Sequence, residues 1–69
     1  MMTAGQITEA FRRCGVEPRA ADLQVCVMLG SEPDDVAEYI WDHWLGEPDD
    51  PSLEMIQVVV HAVVEGKDT

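Results

Sequence analysis

Apolar positions along this chain recur at helical spacing in four separate stretches, each closed by glycine, proline or a capping residue. In the first stretch Ile7, Ala10, Phe11 and Cys14 fall on one stripe at intervals of three and four residues, the repeat of an amphipathic helix. Thr3 and Gln6 have the spacing of a capping box, in which each side chain satisfies a backbone N–H of the first turn. Gly15 supplies the left-handed residue that commonly ends a helix. The pattern predicts a helix over about residues 4–14. A second is predicted over about 18–29, with Pro18 at the first position, where a missing N–H leaves nothing unpaired. Leu23, Cys26 and Val27 face one way on it, flanked by Ala20 and Leu29, and Gly30 closes it.

Ser31 reads as the N-cap of a third helix, with Pro33 in its first turn and Asp34 three residues on. This helix is predicted over about 33–45, with Val36, Ala37, Ile40, Trp41 and Trp44 as its buried face and Gly46 as its stop. A loop dense in Pro and Asp follows, from Glu47 to Pro51. The last stretch, about 52–65, sets two signals against each other. Its valines at 58, 59, 60, 63 and 64 favour a strand by propensity. Leu53, Ile56, Val60 and Val63 fit a helical stripe, and a lone strand would have no partner elsewhere in the chain. The helical reading prevails.

Four helices joined mostly by short connections predict an all-α fold, a small four-helix bundle in one domain over residues 1–66. Residues 67–69 read as a frayed tail or the start of a linker. No stretch is long and apolar enough to span a bilayer, and no basic–apolar–small pattern marks a signal peptide.

Composition sharpens this picture in one direction. The formal net charge is −10, from four basic and fourteen acidic residues. Such a balance disfavours direct contact with nucleic acid, whose phosphates attract Lys and Arg, and with anionic membranes. A partner with a basic surface is the natural complement. The two cysteines, Cys14 and Cys26, allow at most one bridge and read as reduced core thiols of an intracellular protein.

Candidate chemistry is sparse. Cys14, Cys26, His43 and His61 are separated by eleven, sixteen and seventeen residues, without the close pairs of a structural zinc site. The acidic stretch from Glu47 to Glu54 lacks the spacing and central glycine of a calcium loop, and no Gly-rich phosphate loop is present. Cys26 with His43, or Ser31 with His61, carries no mark of a nucleophile–base pair. No catalytic, metal or cofactor residue is assigned, and the chain is not expected to be an enzyme.

The third helix holds the candidate binding residues. Eight acids and no Lys or Arg lie between Glu32 and Asp50. Asp34 and Asp35 suit a helix start, where carboxylates meet the positive end of the dipole. Asp34, Glu38 and Asp42 form a ridge of like charge at four-residue spacing, each step costing about 0.2–0.5 kcal/mol on an isolated helix. Either that ridge is a solvated face or it docks a basic partner. Trp41 and Trp44 share a face with Ala37, Ile40 and Leu45. Either both belong to the core, or Trp44 lies inside and Trp41 is left partly exposed as a binding anchor. Arg12, Arg13 and Arg19 gather toward the N-terminal end, so the molecule is electrically lopsided.

The order of these features resembles the N-terminal domain of the DNA polymerase alpha B-subunit family. Gln6-Ile7-Thr8-Glu9-Ala10-Phe11 followed by Gly15-Val16 is similar to that domain's first helix and its aromatic–Gly–aliphatic turn. Leu23 to Leu29, with Cys26 at its centre, resembles the second helix. Pro33 to Trp41 resembles the third, an acidic start leading into an aromatic-rich helix, and Ser52-Leu53-Glu54-Met55-Ile56 resembles the entry into the fourth. The likeness spans nearly the whole chain, although the loop of Pro48, Asp49, Asp50 and Pro51 departs from it. It implies a bundle similar to the C-terminal helical domain of AAA+ ATPases, without a nucleotide site. It further implies a monomeric docking module of the polymerase alpha–primase complex, acting in recruitment or regulation when DNA replication initiates. Its setting would be the nucleus and its partners replication proteins, with Glu38, Asp42, Trp41, Asp34 and Asp35 as candidate contacts.

Two other readings stand beside this one. Met28-Leu29-Gly30, followed by an acidic-start helix ending in Trp44-Leu45, is similar to the loop and last helix of ubiquitin-binding UBA or CUE modules. A small acidic adaptor that occupies a basic protein is the third.

Overall fold

In the computed structural model, which describes residues 1–67, helix α1 spans Ala4–Arg13 and starts at the capping box. The Gln6 N–H donates to Thr3 Oγ1 at 3.1 Å and the Thr3 N–H to Gln6 Oε1 at 2.9 Å. At its end the Val16 N–H donates to the Phe11 carbonyl and the Gly15 N–H to that of Arg12. This paired closure needs a left-handed residue, which Gly15 provides at φ 83°. It also brings buried Val16 back onto buried Phe11.

Helix α2 (Ala20–Met28) is shorter than the sequence predicts. Pro18 lies outside it and Arg19 is its N-cap, because the carboxylate of Asp22 takes up the Arg19 N–H at 2.9 Å and fixes the start there. Its inward residues also differ. Asp22 and Cys26 are buried and Leu23 half-buried, whereas Ala20, Val27 and Leu29 are exposed. At about 100° per residue, placing Asp22 inward one turn before Cys26 turns Val27 out to solvent.

The α2–α3 turn corrects a second expectation. Ser31 does not cap α3 with its side chain. It sits buried at φ 56°, and its N–H donates to the Cys26 carbonyl while its own carbonyl accepts the Met2 N–H at 2.8 Å. Glu32 is the N-cap, without a side-chain bond, and Pro33 takes the first helical position. Helix α3 (Pro33–Trp44) ends one residue before the predicted boundary, with Leu45 extended.

Helix α4 (Leu53–Glu65) is helical throughout its valines. The Met55 N–H bonds Ser52 Oγ at 3.3 Å, and Ile56, Val60 and Val63 turn inward as the helical stripe requires. The Lys67 N–H donates to the Ala62 carbonyl at 2.8 Å and its carbonyl accepts from Arg13 Nη1 at 2.7 Å. Residues 68 and 69 of the predicted tail lie outside the described residues.

The described residues thus form an all-α four-helix bundle without strands. Helix α3 packs most extensively on α4; α1 lies against α4 and α2, and α2 closes onto α3. The core is built from Ile7, Phe11, Cys26, Val36, Ile40, Ile56 and Val60, all essentially inaccessible. Each large aliphatic or aromatic side chain so buried contributes about 1.5–3 kcal/mol. Met2, just ahead of α1, joins this core.

Candidate functional site

The site begins with how α3 is held beside α2. Asp22 is 1% exposed, and a carboxylate there must be paired to remain charged. Its Oδ1 accepts the Tyr39 hydroxyl at 2.6 Å; its Oδ2 accepts the Arg19 backbone N–H at 2.9 Å and Arg19 Nε at 3.2 Å. The Tyr39 bond, then that from the Arg19 backbone, holds the carboxyl down at about 2 against the opposing effect of burial. The same bond, with burial, pushes the Tyr39 phenol up to about 12. At neutral pH neither group exchanges a proton, so the pair acts as a tether rather than an acid or base. Burial, with the nearby Asp22 charge, likewise raises the Cys26 thiol to about 11, leaving it without the thiolate a nucleophile needs.

With Tyr39 fixed, the next turn of α3 is fixed as well. His43 stacks on Tyr39 with ring centroids 4.0 Å apart and planes 21° from parallel. Its Nδ1 lies 3.1 Å from the Tyr39 carbonyl oxygen. A carbonyl only accepts, so Nδ1 carries the hydrogen and Nε2 of the neutral ring is an acceptor. At the end of the helix Arg19 reaches over Trp44, its guanidinium carbon 5.0 Å from the ring centroid, a contact worth about 0.5–1 kcal/mol at an exposed site.

Between the end of α2 and this face of α3 lies an open groove of about 170 Å³. Leu29 forms its apolar wall, Tyr39 and His43 its ring surface, and Asp35, Glu38 and Asp42 its acidic edge. These three carboxylates have no cationic partner among the described residues. The Lys and Arg ion pairs described there use Glu9, Glu17, Asp22 and Glu65 instead. The basic N-terminal cluster is therefore largely neutralised in place, while the acidic edge of α3 is not.

The structure divides the predicted contact residues. It brings Asp35, Glu38 and Asp42 together in the groove and separates Asp34 from them. Asp34 precedes Asp35 by about 100° of helix rotation and faces α4, where its Oδ1 meets His61 Nε2 at 2.9 Å. Trp41 packs half-buried against the core, and Trp44 is the more exposed tryptophan at 37%. Both alternatives placed Trp44 in the core, and the structure corrects that: Trp44 is the last residue of α3 and lies open to solvent, while Trp41 is the partly exposed tryptophan that packs on the core.

Asp22 and Tyr39 shape the site although the sequence pattern does not mark them as site residues, and Leu29, marked only by its likeness to a ubiquitin-binding loop, forms its wall. Asp22 does leave a signal, the three-residue spacing from Arg19 at a helix start. A wider groove of about 490 Å³ runs along α4 past Val58 and Ala62. Its Asp34 and Glu65 already pair with His61 and Lys67. Among the described residues no group of three His, Cys, Asp or Glu side chains is placed to hold a metal ion. No helix among them is long and apolar enough to cross a membrane.

Comparison with protein-family models, with characterised proteins and with solved structures returns no match to this chain.

Proposed function

We propose that the chain is a non-catalytic docking domain that receives a basic protein partner in the α2–α3 groove. The observation that carries this reading is the set of carboxylates, Asp35, Glu38 and Asp42, without a cationic partner among the described residues and beside the exposed side chain of Leu29. Like charges at this spacing cost helix stability, and a cationic partner converts that cost into attraction and a fast encounter. The biological setting we propose is the polymerase alpha–primase complex and its recruitment or regulation at replication initiation. That setting rests on the order of motifs from Gln6 to Ile56.

The test is calorimetric titration of the domain with purified polymerase alpha–primase subunits and replication-initiation proteins, repeated with Glu38→Lys plus Asp42→Lys. The expected result is binding by the unaltered domain and a loss of at least about tenfold on charge reversal, with the helical circular dichroism unchanged. Unchanged affinity places the binding surface elsewhere. Binding by none of these proteins removes the replication setting.

One observation favours the ubiquitin-type reading. Met28 is 81% and Leu29 49% exposed just before the left-handed Gly30, and Trp44 is accessible at the end of α3. Titration with ubiquitin that leaves the amides of Met28–Gly30 and Trp44–Leu45 unmoved eliminates it.

A further inference from the structure

The side chains around the α2–α3 groove offer acceptors and almost nothing else. Asp35, Glu38 and Asp42 are carboxylates, the Nδ1 of His43 is turned to the Tyr39 carbonyl, and the one hydroxyl donor, that of Tyr39, is committed to Asp22. A ligand that mixes donors and acceptors leaves half of its groups unmet there. A guanidinium carries five N–H donors and no acceptor.

Three further features agree with that chemistry. His43 is exposed, stacks on Tyr39 by one face and lines the groove, so its ring offers a surface on which a second planar group can stack. Guanidinium stacks on such rings, whereas the ammonium of lysine is a strongly hydrated point charge. Leu29 gives an apolar wall along which an aliphatic stem can lie while its charged head reaches the carboxylates. The volume, about 170 Å³, suits one long side chain and falls below the roughly 300 Å³ at which small-molecule pockets begin. The molecule already makes one such contact of its own at the C-terminal end of α3, where Arg19 covers Trp44.

We infer that the groove takes a single arginine side chain from a basic segment of the partner, in preference to lysine. The inference rests on the docking reading and names what that site selects.

The test uses three short peptides, acetyl-Gly-Ser-X-Ser-Gly-amide with arginine, lysine or citrulline at X, titrated into isotope-labelled protein and followed by amide shifts. The arginine peptide should move Leu29, Asp42 and His43 with millimolar affinity, about fivefold tighter than the lysine peptide, and the citrulline peptide should move none of them. His43→Ala should reduce arginine binding to the lysine level and leave lysine binding unchanged. Glu38→Gln with Asp42→Asn should weaken both. These residues are exposed, and an unchanged circular dichroism spectrum shows that the variants fold. Equal binding of arginine and lysine overturns the inference while the docking reading stands. A preference that survives His43→Ala overturns the stacking basis of the inference. Binding by neither cationic peptide overturns inference and docking reading together.

Discussion

Helices α2 and α4 are both rich in aliphatic residues, yet α4 hides its key apolar stripe and α2 displays most of its own. In α4, Ile56, Val60 and Val63 point inward and the polar residues share the outer side with Met55, Val58 and Val64. In α2 the buried residues are Asp22 and Cys26, while Val25, Val27, Met28 and Leu29 reach solvent. The difference is one of what each helix turns inward. Helix α4 is oriented by its apolar stripe, the usual rule. Helix α2 turns Cys26 and half-buried Leu23 inward beside a charged group, Asp22, which a short hydrogen bond ties to Tyr39 on another helix. With α2 in this rotation, Leu29 stands beside the acidic edge of α3 and forms the apolar wall of the groove.

This contrast can be broken at its strongest point first. Ile56→Ala in α4 should destabilise by about 2–5 kcal/mol, measured by urea unfolding, a large part of what a domain of this length holds. Val27→Ala in α2, also an aliphatic truncation, should change stability by no more than about 0.5 kcal/mol. Comparable losses at both positions would mean that Val27 too supports the core.

Tyr39→Phe comes next, with an expected cost of about 1–3 kcal/mol at neutral pH, because it leaves a buried carboxylate short of a partner. The pH dependence sharpens this. The folded-state pKa of Asp22 is lowered from 3.8 to about 2, so its contribution is present above pH 4 and is lost as pH falls through about 2. The contribution amounts to roughly 2 kcal/mol. Tyr39 is raised from 10 to about 12, so its contribution is present below pH 10 and lost as pH rises through about 12. Both ends report one bond and are not added. In Tyr39→Phe the acid slope between pH 4 and 2 should shrink and the alkaline arm from this residue should vanish, read by denaturant unfolding across pH. An unaltered acid slope would show that Tyr39 does not hold Asp22.

The smallest effect has the opposite sign. Asp42→Lys should raise stability by about 0.3–1 kcal/mol, because a cation near the C-terminal end of α3 suits its dipole and relieves repulsion with Glu38. The same substitution should weaken docking. Thermal unfolding checks the first and peptide titration the second; a fall in stability would show that the acidic edge makes a favourable contact within the fold.

The helices were legible because period and punctuation agree within each one. Thr3 with Gln6 starts α1, and the stripe of α4 outweighs its β-branched residues because the run is too long for an unpaired strand. The rotation of α2 was not legible, since it turns inward a charged group whose partner lies seventeen residues away in sequence. Ser31 misled for a related reason. Its identity suits an N-cap, but the backbone must turn there to close α2 and to accept the Met2 N–H. The acidic edge was legible in part. Periodicity groups Asp34 with Glu38 and Asp42, and only the placement of α2 and α4 on opposite flanks of α3 shows that Asp35 belongs in the groove and Asp34 does not.

The two free cysteines give the chain a built-in clock for its less conventional flank. Cys14 is half-buried, whereas Cys26 is sealed at the centre of the inward side of α2, beside Asp22. An alkylating reagent therefore reaches Cys14 from the native state but modifies Cys26 only when α2 lifts away from α1 and α3. The ratio of the two labelling rates reports how often that lifting occurs, without any engineered probe. Since Leu29 sits at the end of the same helix, each such event also dismantles the groove wall. The lifetime of any partner seated there is bounded by the rate at which Cys26 becomes reactive in the complex.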